Sequence, residues 1–271
     1  MPPREVGEIR LEREPITAGG GEAKPVMFDP AFYDCPRCNN TGAILIRDAA
    51  GRLKGRVCPC VERRKAKRQA EQYRALEEAS GMVNAIRGHT FDSWQAREPW
   101  QGQALKLARE FAANPAGWFY IGGASGCGKT HLCSAICAQI IAAGIPAVYL
   151  PWREVASRAK STLTDTAAHD ALVQPLKEVR CLFVDDFLKA ARDRYGTMTP
   201  TPGDVNFAYD LINARYLDPA TITIITSEMH LPELADVDHA VMRRIRERAG
   251  RYFLDVPAGA KDYMMAYGGQ A

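Results

Sequence analysis

The stretch Gly123-Ala124-Ser125-Gly126-Cys127-Gly128-Lys129-Thr130 fills every fixed position of the pattern G-x-x-x-x-G-K-T. Its glycines let the backbone curl until several N–H groups point at one phosphate. In this pattern Lys129 is expected to reach the β- and γ-phosphates of ATP, and the Thr130 hydroxyl to hold Mg²⁺. The alternative is an ordinary glycine turn. We therefore predict a nucleotide site made by these residues: Gly123, Ala124, Ser125, Gly126, Cys127, Gly128, Lys129, Thr130 and His131.

The residues on either side of this loop supply the setting that the pattern requires. The apolar run 117–121 predicts a buried strand, and 131–143 predicts a helix that stops at Gly144. A helix that begins at the loop directs its N-terminal dipole at the bound anion. Strand, loop and helix together predict an anion site rather than a chance glycine cluster.

A second apolar run, 180–186, ends in the two carboxylates Asp185 and Asp186. Parallel strands that are buried on both faces have such composition, and ligands bind beyond their carboxyl ends. We expect Asp185 to hold Mg²⁺, directly or through water, and Asp186 to orient or deprotonate the attacking water. The alternative is a strand that runs into an acidic turn.

Composition limits the class of protein. The chain has 271 residues, of which 46% are hydrophobic and 25% charged, so it can form one large domain and a small one. A net charge of +3 is too small to indicate nucleic-acid binding by itself, although the segment 62–74 carries six basic and two acidic residues. No apolar run approaches a membrane span and no signal-peptide core is visible, so we expect a cytoplasmic protein with reduced cysteines.

Four cysteines near the N-terminus form the second chemical signal. Cys35 and Cys38 have C-x-x-C spacing, and Cys58 and Cys60 form a second close pair. Four thiolates suit a closed tetrahedral site for structural Zn²⁺, and the intervening residues predict a hairpin with strands at 43–47 and 53–57. A redox C-x-x-C would explain only one pair, and four ordinary reduced cysteines are the other alternative.

The remaining pattern predicts an α/β fold. Strands are expected at 146–150 and 221–227, and helices at 103–112, 155–163, 168–178 and 205–216, which indicates a parallel sheet flanked by helices. We assign residues 1–27 to a flexible tail, 28–80 to a zinc-binding module with a basic helix, 81–100 to a linker, and 101–271 to the nucleotide-binding domain.

The order of these motifs resembles that of AAA+ ATPases, and within them the bacterial and phage replicative helicase loaders of the DnaC/DnaI type. A cysteine module ahead of the ATPase is also similar to that group. The resemblance covers about residues 30–256. It is carried by the segments 123–132, 182–189, 207–216, 225–234 and 240–248.

This resemblance implies further roles. Thr226, Ser227 or Glu228 would be the polar sensor beside the γ-phosphate, although many AAA+ proteins have Asn where this chain has Glu228. Arg244 would be the arginine finger that reaches a neighbouring subunit. Arg243, Arg248 and Arg251 are its rivals, and single-stranded DNA binding is assigned to a basic loop with Lys189, Arg192 and Arg194. A plain flexible loop is the alternative there.

The function implied is that of an ATP-dependent loader, a homo-oligomer that binds the replicative DNA helicase and transfers it to single-stranded DNA. Its ATP hydrolysis would be slow and stimulated by partner or DNA, and its cofactors would be ATP, Mg²⁺ and Zn²⁺. The alternatives are a transposition helper ATPase of the IstB type and a nucleotide-regulated adaptor with negligible hydrolysis. A metabolic P-loop kinase would need a phosphoacceptor pocket, which no motif suggests.

Overall fold

The computed structural model describes residues 35–38, 41–47, 51–190, 194 and 199–260. The tail expected at residues 1–27 and the predicted DNA-binding Arg192 lie outside the described residues. The chain divides into two compact units, 1–72 and 73–271.

The first unit contains the predicted hairpin. Strands β1 (Ala43–Arg47) and β2 (Leu53–Val57) are antiparallel, with Ala43 opposite Val57 and Arg47 opposite Leu53. The four cysteines are buried together against Ile44 and Val61. Helix α1 (Cys60–Ala79) begins at the last cysteine. Among the described residues of this unit, Ile44 and Val61 are the apolar side chains packed against the sulfurs, so a metal held by the sulfurs would add to its stability.

The second unit is built on one sheet of five parallel strands. These are β3 (Trp118–Gly122), β4 (Ala147–Pro151), β5 (Cys181–Asp185), β6 (Ile222–Ser227) and β7 (Phe253–Asp255), in the order β4-β5-β6-β3-β7. The strand before the glycine loop, β3, therefore lies between β6 and β7. The carboxyl ends of β3, β5 and β6 consequently meet at one edge of the sheet.

Helices connect these strands. Their bounds are α2 (Met82–Ile86), α3 (Pro99–Ala113), α4 (Lys129–Ala142), α5 (Trp152–Ser161), α6 (Thr166–Glu178), α7 (Pro202–Leu217), α8 (Leu231–Val237) and α9 (His239–Ala249), followed by a 3₁₀ turn at Gly250–Tyr252. Among the described residues, no helix has both the length and the apolar character needed to cross a bilayer.

The sheet separates two hydrophobic cores because strand side chains alternate between its faces. In β3, Trp118 and Tyr120 enter the core formed with α5, α7 and α9, whereas Phe119 and Ile121 enter the core formed with α3 and α4. A layered α/β domain is therefore present, in agreement with the predicted fold class.

One fully buried arginine, Arg215, joins helix α7 to the end of α6 and the start of β6. The Arg215 guanidinium, on α7, donates hydrogen bonds to four backbone carbonyls, those of Leu176, Lys177, Val179 and Ile222, at 2.7–3.3 Å. It also donates to the Thr223 hydroxyl at 2.9 Å. Several of these carbonyls belong to the last turn of α6, where intrahelical donors are missing. Arg215 thus completes the C-terminus of α6.

The segment 81–100, which the sequence predicts to be a linker, is partly helical and partly buried. It contains α2 and the first residues of α3, and Met82, Phe91 and Trp94 are buried in the core. The physical reason is apolar burial: two aromatic rings placed against the domain remove a large area from water. The first turn of α3 is closed by a capping box between Glu98 and Gln101.

Candidate functional site

The glycine loop lies between β3 and α4, as predicted. Gly123, Gly126 and Gly128 have φ angles of 123°, 76° and 95°, a region that side-chain-bearing residues rarely adopt. A Cβ on Gly123 would lie 2.9 Å from Val256, and a Cβ on Gly128 would lie 2.8 Å from the Trp94 ring. The loop therefore requires glycine at both positions for conformation and for space.

Lys129 is held inside this loop. Its ammonium donates hydrogen bonds to the carbonyl oxygens of Gly123 at 2.8 Å and Ala124 at 2.7 Å, and the residue is 6% exposed. The ammonium also lies 3.8 Å from the Cys127 sulfur. Because these partners are uncharged, a phosphate would offer the lysine a stronger, charge-assisted bond. The cation is thus already placed inside the glycine loop, against its backbone.

Asp185, at the end of β5, accepts three hydroxyl hydrogen bonds. The Thr130 hydroxyl donates to Oδ1 at 2.9 Å, the Thr226 hydroxyl donates to Oδ1 at 2.6 Å, and the Tyr149 hydroxyl donates to Oδ2 at 2.9 Å. Burial and the Asp185 carboxylate raise the pKa of Tyr149, so its phenol keeps its proton and remains a donor. A carboxylate and a hydroxyl in direct contact at the loop are the ligand types that Mg²⁺ prefers.

Asp186 and Glu228 are joined by a lysine. The Lys189 ammonium lies 2.8 Å from Asp186 Oδ2 and 2.8 Å from Glu228 Oε1. The Glu228 side chain, at the end of β6, is 7% exposed and also hydrogen-bonds Ser125 of the glycine loop. Both predicted catalytic carboxylates, Asp186 and Glu228, therefore lie at the same edge of the sheet as the loop.

The pKa values of Glu228 and Lys189 follow from the contacts of these two side chains. Burial would raise the pKa of Glu228, but the hydrogen bonds from Lys189 and Ser125 outweigh it and hold that pKa below its ordinary value. Burial would lower the pKa of Lys189, yet its two carboxylate partners raise it. Glu228 and Lys189 consequently both favour their charged forms.

The three sensor candidates on β6 have different surroundings. Thr226 donates to Asp185 and accepts from the backbone N–H of Asp186 at 2.8 Å. The Ser227 hydroxyl donates to the carbonyl oxygen of Phe187 at 3.0 Å. Glu228 contacts the glycine loop through Ser125. Thr226 and Ser227 therefore fix the turn after β5, whereas Glu228 faces the loop.

His131 lies against the segment that precedes α3. Its Nε2 lies 3.0 Å from the Thr90 carbonyl oxygen and 3.1 Å from the Ser93 hydroxyl, and its ring lies 4.8 Å from that of His89 and 5.6 Å from that of Trp94. Burial lowers the pKa of His131, which favours the neutral ring. The segment 89–94 thus covers the start of α4 beside the loop.

The candidate arginine fingers lie on α9 and directly after it. The Arg244 guanidinium lies over the Tyr209 ring at 5.0 Å and the Tyr216 ring at 5.7 Å. Arg243 is exposed. Arg248 donates to backbone carbonyls of its own chain, and Arg251 pairs with Glu110 at 3.0 Å. Arg244 is therefore held in a fixed direction by two aromatic faces.

The structure describes two of the three predicted DNA-binding residues, Lys189 and Arg194. Lys189 points into the carboxylate cluster, because two anions lie within 2.8 Å of its ammonium. Arg194 is exposed. The DNA-binding roles of Lys189 and Arg194 stay predictions, and the structure adds that Lys189 is paired with two carboxylates beside the glycine loop.

The four cysteines of the first unit form a compact cluster. All four sulfur atoms lie within 4.8 Å of one another, with Cys35 and Cys58 3.8 Å apart and Cys38 and Cys60 3.4 Å apart. Sulfurs bound to one Zn²⁺ at about 2.3 Å would lie about 3.8 Å apart, so the cluster fits a tetrahedral site. A backbone hydrogen bond from Cys38 lowers the pKa of Cys35 to about 6, which favours a thiolate.

Two functional contacts were not expected from the sequence. Tyr149 looks like a core residue of a strand. Its register opposite Phe183, two residues before Asp185 on the neighbouring strand, lets its hydroxyl reach that carboxylate. Trp94 looks like part of a linker, although an aromatic residue in a short polar segment is a signal of local burial. Neither Tyr149 nor Trp94 belongs to a sequence motif that would have indicated its contact.

Comparison with known proteins gives curated relatives over nearly the whole chain. Phage-like element PBSX protein XkdC of Bacillus subtilis (strain 168) is 28% identical over 263 residues, which are 93% of this chain and 92% of that protein. Uncharacterized protein YqaM of the same organism is 22% identical over an alignment of 279 positions, gaps included, that covers 86% of each chain. No protein-family model matches the chain.

Solved structures identify the fold. The crystal structure of the DnaC helicase loader has a TM-score of 0.54 at 22% identity and covers 64% of this chain and 98% of its own. The crystal structure of DnaI has a TM-score of 0.50 at 19% identity, covering 65% and 91%. AMPPCP-bound DnaA from Aquifex aeolicus has a TM-score of 0.51 at 18% identity, covering 67% and 54%. The predicted AAA+ P-loop fold is confirmed, and the similar structures include the loaders that the sequence resembles.

Proposed function

We propose that this protein is an ATP-dependent loader that binds the replicative DNA helicase and transfers it to single-stranded DNA during replication initiation. The observation that carries the proposal is the contact between Thr130 Oγ1 and Asp185 Oδ1 at 2.9 Å, which joins the glycine loop to the carboxylate strand in one site. The likeness to solved DnaC and DnaI structures supports the choice of loader among AAA+ functions.

ATP would bind with its phosphates in the glycine loop. Lys129 would exchange its bonds to the Gly123 and Ala124 carbonyl oxygens for bonds to phosphate oxygens. Thr130 and Asp185 would hold Mg²⁺, and Tyr149 and Thr226 would keep the Asp185 carboxylate in place. Mg²⁺ held by these residues would supply positive charge that offsets the charge developing on the transferred group.

Hydrolysis would use Asp186 and a second subunit. The Asp186 side chain is 37% exposed at the edge of the site, so water can reach it. It would orient or deprotonate that water. Arg244 would enter the site of a neighbouring copy, where an arginine supplied in trans raises the rate by roughly 10³–10⁵. ATP binding would favour the assembled homo-oligomer and hydrolysis would release it.

The cysteine unit would hold the helicase. Zn²⁺ on Cys35, Cys38, Cys58 and Cys60 would be structural, since four thiolates leave no open coordination position. The hairpin presents apolar side chains to solvent, with Leu53 52% and Val57 64% exposed. Such an apolar surface suits a protein partner better than a nucleic-acid backbone. Single-stranded DNA would be bound by the second unit, with Arg194 as the exposed cation that remains from the predicted set.

None of the eight cysteines forms a disulfide, which is compatible with a reducing compartment, and we assign the protein to the cytoplasm. The test is a loading assay with the full chain, replicative helicase from the host, single-stranded DNA, Mg²⁺ and ATP. Lys129→Ala should abolish nucleotide-dependent transfer of the helicase, whereas Lys106→Ala, an exposed lysine on α3, should leave it unchanged. A Lys129→Ala protein that loads normally would contradict the proposal, and so would a partner pull-down that returns a transposase.

A second candidate is a nucleotide-regulated adaptor with negligible hydrolysis. It is favoured by the ion pair that ties Asp186 to Lys189, because a carboxylate engaged by a lysine is a weaker base toward water. Phosphate release measured with and without helicase and single-stranded DNA distinguishes the two. Stimulated turnover supports the loader, and a flat baseline with intact ATP binding supports the adaptor.

A further inference from the structure

Lys189 bridges two carboxylates at the edge of the nucleotide site. Its ammonium lies 2.8 Å from both Asp186 Oδ2 and Glu228 Oε1, and its side chain is 29% exposed. Glu228 is almost fully buried and in turn hydrogen-bonds Ser125 of the glycine loop. The lysine therefore links the turn after β5 to Glu228, and through Glu228 to the glycine loop.

The turn that delivers Lys189 is tightly fixed. Asp186 and Leu188 both have a φ angle of 58°, the left-handed region that costs energy for residues other than glycine. The backbone N–H of Phe187 donates to the Thr226 carbonyl oxygen at 2.8 Å, and the Lys189 N–H donates to the Asp186 carbonyl oxygen at 2.9 Å. Phe187 and Leu188 are fully buried. A turn held so firmly directs the lysine back toward β6 rather than into solvent.

The charges around the loop explain why a cation is needed there. Asp185, Asp186 and Glu228 contribute three negative charges beside the position of the phosphates, and Mg²⁺ would offset the charge on Asp185. Glu228 contacts Ser125 of the loop itself. An unpaired carboxylate there would repel a phosphate strongly, because it is buried and poorly screened. The repulsion would be greatest for the terminal phosphate that ATP has and ADP lacks.

We propose that Lys189 is a positioning residue that neutralises Glu228 and Asp186 and so allows the site to accept the γ-phosphate of ATP. The inference rests on the proposed nucleotide site and adds a residue to it. Lys189 then gives the site its preference for the triphosphate over the diphosphate, and the Glu228–Lys189 pair does together what a neutral sensor residue would do alone.

The test is equilibrium binding of ATP and of ADP, each with Mg²⁺, to the full chain by calorimetry. Lys189→Ala should weaken ATP binding about tenfold or more, and ADP binding less than about threefold. Glu228→Gln introduced into Lys189→Ala should restore ATP binding to within about threefold of the Glu228→Gln protein. Lys177→Ala, which breaks the surface ion pair of Lys177 with Asp210, should change neither affinity.

Thermal unfolding of each variant without nucleotide tests the fold separately. Lys189→Ala should lower the melting temperature because Glu228 is left buried without its cation, and Glu228→Gln should restore it. Equal weakening of ATP and ADP, or a double variant that stays weak for ATP alone, would overturn the inference. Wild-type protein that binds neither nucleotide would refute the proposed function and the inference with it. Unchanged ATP affinity in Lys189→Ala would refute the inference alone.

Discussion

Replacing Thr226 by valine removes one hydroxyl from the centre of the site while keeping the shape of the side chain. That hydroxyl donates to Asp185 Oδ1 at 2.6 Å and accepts from the Asp186 backbone N–H at 2.8 Å. Thr226 is fully buried, so water cannot replace the hydroxyl in either bond. Valine would leave Asp185 with two donors instead of three, and would leave the Asp186 N–H without its acceptor.

The size of the effect follows from these two bonds. A hydrogen bond to a charged group contributes about 1.5–3 kcal/mol and a neutral one about 0.5–1.5 kcal/mol. Because Thr130 and Tyr149 continue to donate to Asp185, we expect the free energy of unfolding to fall by about 2–3 kcal/mol. For a domain of this size that is a decrease of about 4–12 °C in melting temperature. Thr226→Ser keeps the hydroxyl and should lose only about 1 kcal/mol for the missing methyl group.

The assay is urea denaturation of wild type, Thr226→Val and Thr226→Ser, followed by circular dichroism without nucleotide. The serine protein is the matched control. It keeps the hydroxyl and loses the methyl group, whereas the valine protein keeps the methyl group and loses the hydroxyl. A valine protein as stable as the serine protein would refute the reasoning, because it would mean that Asp185 and the Asp186 N–H gain nothing from the hydroxyl.

Three further changes test other parts of the chain. Arg215→Met should lower the free energy of unfolding by about 3–5 kcal/mol in the same denaturation assay, because it leaves four buried carbonyls without their donor; a loss below about 1 kcal/mol would contradict this. Burial would raise the pKa of Asp204, but hydrogen bonds led by that from Lys160 hold it below its ordinary value. Asp204→Asn should therefore be less stable than wild type above about pH 4, and melting curves should converge as the pH falls through the folded-state pKa; a constant difference would count against it. Cys58→Ser should abolish stoichiometric zinc in purified protein by elemental analysis, whereas Cys133→Ser, also buried, should retain it; equal zinc in both would rule out the four-cysteine site.

The sequence predicts those residues of the site that belong to a fixed motif or lie at the end of a strand. Asp185 was expected near Thr130 because parallel strands end at one edge of the sheet, and the two side chains are in contact. The roles of Asp186, Glu228 and Arg244 stay predictions. Arg244 would act in a neighbouring copy, and the structure contains one chain.

The parts that were missed depend on turn conformation and register. The sequence suggested that Lys189 was a cation of a basic loop. Its direction is set by the positive φ angles of Asp186 and Leu188, and these angles cannot be predicted from the residue types. Tyr149 looked like core because a strand's apolar pattern hides one polar atom at its end. The start of α7 at Pro202, three residues before the predicted one, could have been found from the capping box of Thr201 and Asp204.

The order of strands in the sheet has a consequence for synthesis on the ribosome. Strand β3 ends at Gly122, and its neighbours β6 and β7 begin only at Ile222 and Phe253. At about 5–20 residues per second, the P-loop strand spends about 5–20 seconds with neither edge paired. An apolar strand with two open edges is the kind of segment that aggregates, so the nascent chain must protect it by helix contacts or by chaperones. The nucleotide site is consequently one of the last parts of the domain to form, and a truncated chain that ends before β6 cannot assemble it.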